Sequence, residues 1–571
     1  MSDFIKTQNS FASGEIAPEF YMKEGVNGLS RLENMDVIPG GGMSRRCGLN
    51  SVAKIPGALR LIPMSVSENE EYMIVLTDGH MYIYRDNVKF QDLMTPWQAQ
   101  DLPALQYAQR FGTMMFVHPN YAPMCLSKSS IRFYLSDFTF SRNDSDMTSN
   151  MPFVKFNDTD GISITVTTNE LGNNFATFTT SHNFWTVDSV NTRILLQGRQ
   201  WVITEYISPT QVTAHTNGSY TTPTEPVIDW QEAAFSTRRG WPRSITFYQD
   251  RLVFGGSRDY PSGIWLSQVG NHNNFAPGTG LDDEPIFISL LSQQRQQICT
   301  VVSSDNLQIL TSVGEWAISS KPLTPSSVDI KQHTSVGSYM SRYLAPQNIE
   351  GSTVFVSANG RDIRELDLDD LGENYKAVDL SSMSKHLINT PTDIAYNPGT
   401  HQLFVVCDDG SMAVLNQNVA VGISAWARYT TDGRFLSVAV SENKTYVLVQ
   451  RADDVHLEYF DSNAMRDADE YDFACMASGI PLFASGHAPR HIKLHRITAR
   501  VLNTKSININ NQSIALPNEI YDVSSAGFSG DVSINCLGGH TDSSLPVWTI
   551  SSTTAYPITV LSVGIYGWYT V

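Results

Sequence analysis

Apolar residues in this chain come in short runs rich in Val, Ile, Phe, Tyr and Trp, cut off by Gly, Asp, Asn or Pro. Such runs read as β-strands, because β-branched and aromatic side chains pack well on a pleated surface and the interrupting residues supply turn geometry. The clearest stretch is RRGWPRSITFYQDRLVFGGSRDYPSGIWLSQVGNHNNF, residues 238–275. In it, Ser244 to Tyr248 and Arg251 to Phe254 are strands split by Gln249-Asp250, and Gly255-Gly256 turns the chain toward a third strand at Gly263 to Ser267. The unit recurs as EYMIVLTDGHMYIY (71–84), NLQILTSVGEWAIS (306–319), TVFVSANGRDIREL (353–366), HQLFVVCDDGSMAVL (401–415) and TYVLVQRADDVHLEYF (445–460), with a weaker copy at LQYAQRFGTMMFV (105–117). Each is a pair of strands about a tight turn, often Asp-Gly or Asn-Gly, which tolerate positive φ. The turn positions Gly314, Gly360, Gly410 and Asp453 fall about 45 residues apart, the period of a four-stranded propeller blade. The expected fold is therefore mainly β, a β-propeller of about six or seven blades, with one or two β-sandwiches as the competing arrangement.

The pattern divides the chain. Residues 1–60 mix Gly, Pro, polar residues and isolated aromatics, which predicts an extended N-terminal arm and first strands, the arm held by another molecule's surface. Residues 61–132 supply the first blades. In 133–235 the runs GISITVTT, ATFTTSHNFW, TRILLQGRQWVITEYI and QVTAHTN alternate apolar and polar positions, as in a half-buried antiparallel sheet. This predicts an inserted β domain, a platform for subunit contact or fibre docking. Residues 236–465 carry the remaining blades, and the acidic DSNAMRDADEYDFACMASG marks a boundary before a C-terminal β region, 466–571, whose aromatic end is expected to be tucked into structure.

At 571 residues the chain exceeds one ordinary core. It has no apolar run of about eighteen residues, and MSDFIKTQNSFASGE lacks the basic and apolar regions of a leader, so neither a membrane span nor Sec-type export is expected. Six scattered cysteines without a CxxC predict reduced thiols. Lys and Arg total 39 against 57 Asp and Glu, a net charge of −18, which disfavours gripping nucleic acid and favours repelling a passing polyanion.

No HExxH, GxSxG or helix-opening GxGxxG occurs, so no catalytic, cofactor or metal residues are expected. Gly40-Gly41-Gly42 before Arg45-Arg46 lacks the GK[ST] of a phosphate loop; its glycines predict a tight backbone path and its arginines carboxylate partners. Asp367, Asp369, Asp370 and Glu373 resemble a calcium loop, but Leu371 stands at a ligand position, which leaves a solvated turn. Asp282, Asp283 and Glu284 read as a loop at a blade top, and both acidic groups are candidates to face a lumen. Arg361, Arg364 and Glu365 alternate faces of a strand and predict a structural ion pair across blades. Trp241, Trp265 and Trp316 are expected to be wedges between blades rather than a platform for bases.

Several blocks in series resemble the tail nozzle proteins of short-tailed bacteriophages, the tail tubular protein B family. They are FASGEIAPEF (Phe11, Gly14, Glu15, Pro18), GLSRLENMDVIPGGGMSRRCG (Asn34, Gly41, Gly42, Arg45, Arg46, Gly48), GWPRSITFYQDRLVFGGS with GIWLSQ (Trp241, Pro242, Arg251, Leu252, Gly255, Gly256, Trp265, Ser267), VGEWAISS (Glu315, Trp316) with Pro325, RDIRELDLDD (Arg364, Glu365, Leu366) and DLSSMSKHL (His386). The resemblance spans roughly residues 11–390. It departs where Ala12-Ser13 replaces a common Ser-Gly, and the last hundred or so residues carry no block. It implies a structural virion protein of the tail, assembled in the host cytoplasm as a homo-hexamer below the head-to-tail adaptor. Tail fibres or tailspikes would attach to it, and duplex DNA would pass through without tight binding. The alternatives are a host-surface, glycan-binding propeller or adhesin and, third, a sialidase-like glycosidase, although the S-x-D-x-G-x-T-W boxes of sialidase blades are absent.

Overall fold

The computed structural model describes all residues except 1, 24–26, 144–147, 169–173, 219, 369–373, 482–490, 517–526, 537–539, 542–545 and 571. Its repeating element is the one the turn spacing predicts. Among the described residues, seven antiparallel four-stranded units, six of them meanders of consecutive strands, form the blades of a β-propeller. Blade 1 is built from Arg60–Ser67, Glu70–Thr77, His80–Arg85 and Val88–Met94, and blade 2 from Gln106–Arg110, Thr113–His118, Tyr121–Lys128 and Phe133–Asp137. Blades 3, 4, 5 and 6 open at Ser244–Tyr248, Ile298–Ser303, Gln347–Ile349 and Pro391–Asn397. Blade 7 takes three strands from Arg434–Ser441, Lys444–Arg451 and Asp454–Asp461, and its fourth, Gly48–Lys54, from the N-terminal region. That pairing covers an edge which three strands alone would leave open. Among the described residues the helical segments are 3₁₀ turns of three residues, and no helix is long and apolar enough to cross a membrane.

The chain forms two compact units. The first (1–99, 344–368 and 377–571) holds blades 1, 6 and 7, the first three strands of blade 5, and the N- and C-terminal segments. Its blades are stitched along their first strands: Ser437 of blade 7 binds the Asp393 carboxylate of blade 6, and the Leu61 amide of blade 1 donates to the Ser437 hydroxyl at 3.0 Å. The second unit (100–343 and 369–376) holds blades 2, 3 and 4 and repeats the device, the Val301 amide of blade 4 donating to Ser244 of blade 3 at 2.8 Å.

Two expectations change. The N-terminal arm is held by its own chain: Ser2–Gln8 pairs along Thr559–Thr570, and Met35–Val37 and Met43–Arg45 extend the same sheet with His491–Thr504 and Phe528–Asn535. Phe11, Leu29, Leu32, Met35 and Met43 lie in one core with Ile497, Ile550, Val560 and Val563, so arm and C-terminal region form one body. Phe133–Asp137, assigned above to the insert, is the outer strand of blade 2. The insert's own seven-stranded sheet runs from Phe153–Val154 to Trp230–Ala233, around a core of Phe178, Trp185, Ile194, Trp201 and Trp230.

Candidate functional site

The blocks that carry the resemblance meet in space. Gly14 adopts φ +62, where a β-carbon would come within 2.4 Å of the Trp426 carbonyl, so only glycine lets the first block bridge to blade 6. That approach places Glu15, 3% exposed, to accept from the Leu32 amide at 2.7 Å, while its other oxygen lies 2.9 Å from His386 and 3.7 Å from Arg428. Glu15 and His386 come from the first and last blocks. Ser384 donates to the Glu15 carbonyl at 2.6 Å, and the Ala17 amide donates to Met383 at 2.7 Å, which fastens the two segments along their length.

Arg46 forms the second node. Fully enclosed, it directs all five N–H groups at acceptors: Nε at Asn34 Oδ1 (2.9 Å), one terminal nitrogen at the Cys47 carbonyl and Asp467 Oδ1, the other at the Thr430 carbonyl and Asp467 Oδ2. Burial lowers its pKa, but Asp467 more than offsets this, and the net shift is upward. Asn34, at φ +52, also donates to Thr430 Oγ1 and the Ala474 carbonyl. Arg45 departs from expectation: it donates to the carbonyls of Thr554 and Phe473, at 2.7 Å each, rather than to a carboxylate. Its guanidinium lies 4.0 Å from the Phe473 ring and that of Arg46 3.7 Å, two cations on one aromatic side chain. Gly48 lies so close to Arg466 that a β-carbon would fall 2.0 Å from its carbonyl oxygen. The Gly41 carbonyl accepts from the Phe11 amide at 2.8 Å, and Gly42 packs against the Val560 carbonyl.

In the second unit, buried Arg251 reaches the carbonyls of Ser267 (2.7 Å), Asp282 (2.7 Å) and Glu284 (2.6 Å). It thus shapes the acidic loop from beneath, while the Asp282 and Asp283 side chains are exposed. Glu284 accepts from the Gly280 and Leu281 amides, which pull its pKa below the usual carboxylate value. Leu252 and Ser267 exchange bonds, and Gly256, at φ +60, turns the chain beside Pro261. Trp265 is buried against Phe235 and Phe287, whereas Trp241 and Trp316 are half-buried. Pro242 is buried, Pro325 is half-buried, and Pro18 is exposed at the opening of a 3₁₀ turn. Glu315 is enclosed with Thr334 and Ser338, and burial raises its pKa. In blade 5, Arg364 lies 3.4 Å from Asp362 and 3.7 Å from Asp379, and Lys385 joins both, so this ion cluster stays beside its own blade. Leu366 is buried, and burial raises the pKa of Glu365. Asp367 is exposed on its strand and accepts from Ser352 at 3.2 Å, and Asp369 and Asp370 lie outside the described residues.

Two features escaped the sequence reading. Arg239 binds Glu232 and Asp158, each through two bonds of 2.6–2.9 Å, tying the insert to the turn that precedes blade 3. The other is a cleft of about 1010 Å³ on the insert's non-core face, lined by Arg142, Arg193, Arg199, Gln197, His215 and neighbours. Strand alternation builds it. Ile194, Leu196, Trp201 and Ile203 point into the core, which turns Arg193, Gln200, Val202 and His215 to the other face. Arg193 pairs with Val202, Val202 with His215 and His215 with Phe175, so these four side chains form one row. Residues 141–143 and 148–150 are held over this face by a reciprocal pair, the Ser149 amide to Gln200 Oε1 at 2.9 Å and Gln200 Nε2 to the Ser149 carbonyl at 2.7 Å. The signal available in the sequence was the alternation TRILLQGRQWV with basic and amide residues on the off-core beat.

No family model matches the chain, and no curated protein matches it. Among solved structures, it is similar to the WD40 repeats of RRP9, at 6% identity over 73% of this chain and 100% of that one with a TM-score of 0.38. It is also similar to the computationally designed Ika8 protein (10% identity, 72% and 100%, TM-score 0.36) and to BamB from Moraxella catarrhalis (13%, 73% and 98%, TM-score 0.33). Likeness at these scores carries no functional argument; the fold rests on the strand pairing itself.

Proposed function

We propose that the chain is a structural virion protein, the subunit of a tail nozzle through which duplex DNA leaves a short-tailed phage. The carrying observation is that block residues are spent on holding the fold together. Glu15 is bonded to His386, Arg46 to Asn34 and Arg251 to the backbone of its own blade, so the resemblance follows a load-carrying scaffold. Apolar side chains exposed on outer strands supply surface for ring neighbours: Val88 and Met94 on blade 1 are 67% and 79% exposed, and Leu291 beside blade 3 is 87% exposed. The net charge of −18 suits a conduit wall that gives phosphates no resting place.

In this reading six copies close a ring by cyclic symmetry on the head-to-tail adaptor. Mass photometry of the purified chain, alone and with the adaptor of the same particle, tests it. Rings are expected only with the adaptor, and a monomer under both conditions overturns the reading. Cryo-EM of the ring should show Asp and Glu outnumbering Lys and Arg on the lumen.

A further inference from the structure

We propose that the cleft on the inserted sheet is a binding site for an acidic glycan, whose carboxylate or phosphate group is held between Arg142 and Arg193. The proposal stands whether or not the chain is a nozzle subunit.

Elsewhere in this acidic chain, enclosed arginines are held by partners: Arg46 by Asp467, Arg239 by Glu232 and Asp158, Arg451 by Glu458, and Arg45 and Arg251 by backbone carbonyls. Half-buried Arg193 and exposed Arg142 differ. Among the described residues no carboxylate or other side chain pairs with either guanidinium, although the chain has 57 acidic residues. Half-burial, and then the charge of Arg142, lower the pKa of Arg193, so the two cations sit close enough to repel. An anion placed between them relieves that repulsion and accepts the planar, forked donors that guanidinium groups present.

The site is formed in advance. The sheet register fixes Arg193 and His215 in one row, and the Gln200–Ser149 pair fixes the hairpin stem that carries Arg142. Backbone bonds from Asn143 to Thr148 (2.9 Å) and from Asn150 to Ser141 (2.8 Å) complete that stem. Little ordering is therefore left to oppose binding.

Volume and lining choose the ligand class. About 1010 Å³ is far more than one oxyanion needs and accommodates several sugar rings. Asn174 and Gln197 bring amide groups suited to hydroxyls, and His215, its ring 4.7 Å from that of Phe175, offers a braced planar face. Nucleic acid fits worse, because a duplex or long strand would meet the field of a chain carrying a net −18.

Isothermal titration of the full chain tests the proposal with a galacturonate tetrasaccharide, a mannose-6-phosphate oligosaccharide, neutral maltotetraose, inorganic phosphate and a short duplex DNA. At least one acidic sugar should bind with a Kd of about 1 mM or tighter, and the stronger of the two tells carboxylate from phosphate. Arg142→Gln and Arg193→Gln should each weaken it by about 10- to 100-fold, with melting temperature unchanged or raised because a like-charge neighbour is gone. Maltotetraose should bind at least about tenfold more weakly, and added salt should weaken the acidic ligand. The proposal is overturned if neither acidic sugar binds, if maltotetraose, phosphate or DNA binds as tightly, or if both arginine variants keep wild-type affinity.

Discussion

Asp467→Ala tests the most enclosed charge pair among the described residues. The change removes both oxygens that chelate Arg46, at 2.9 and 2.8 Å, together with the acceptor of Thr431 at 2.8 Å, while Arg46 remains fully enclosed with its other partners. Removing one member of such a pair costs about 3–5 kcal/mol, because the cation stays buried without compensation. At about 2 °C per kcal/mol for a large unit, the first unit should melt roughly 6–10 °C lower. Calorimetry gives the shift, and since the pair is closed to solvent it should persist in about 1 M salt. The double variant Arg46→Met, Asp467→Leu should be no less stable than Asp467→Ala alone, which makes the two sites strongly non-additive. A loss of under about 1 kcal/mol for the single variant, or strict additivity in the double, would refute the reasoning.

Three further outcomes are expected. Glu315, lifted above its ordinary pKa by burial, contributes stability that is present while it is protonated and lost as pH rises through its folded-state pKa, so Glu315→Gln should gain on the parent between acidic and neutral pH; a melting difference that is flat with pH, or of opposite slope, counts against this. Gly48→Ala puts a β-carbon 2.0 Å from the Arg466 carbonyl and should prevent soluble expression or lower the melting point steeply, whereas Gly57→Ala, with nothing within 4 Å, should cost only about 1 kcal/mol for its left-handed backbone, as paired melts would show. Burial pushes the thiols of Cys47 and Cys299 up to about 12 and those of Cys125 and Cys407 up to about 11, so at pH 8 these four should resist a disulfide reagent until denaturant is added, and rapid labelling of the native chain would contradict it.

The hairpins were readable because their cause is local. Gly79 and Gly410 sit at φ +69 and +84 after an aspartate, and Gln249 and Asp250 at +45 and +59, so each turn is written in adjacent residues. Strand pairings between distant segments leave no such mark. Gly48–Lys54 completes blade 7 beside Asp454–Asp461, and Ser2–Gln8 lies along Thr559–Thr570; in each case the residues that select the register are hundreds of positions away. The same distance hid the partner of Arg46, since Asp467 falls in the acidic segment that the composition marks as a boundary. In the insert, alternation predicted a half-buried sheet without singling out Arg193 or His215, and the residues held over its off-core face, 141–143 and 148–150, come from ahead of the sheet. All the blocks of the resemblance lie outside residues 133–235. Glu15 with His386, and Arg46 with Asn34 and Asp467, are occupied in bonds, so changing them unsettles the fold, while Arg142 and Arg193 line the cleft without a side-chain partner among the described residues and can be exchanged without disturbing one. Architecture and recognition therefore sit on different residues of this chain, and variants in the cleft should separate binding from folding in a way that variants of the blocks cannot.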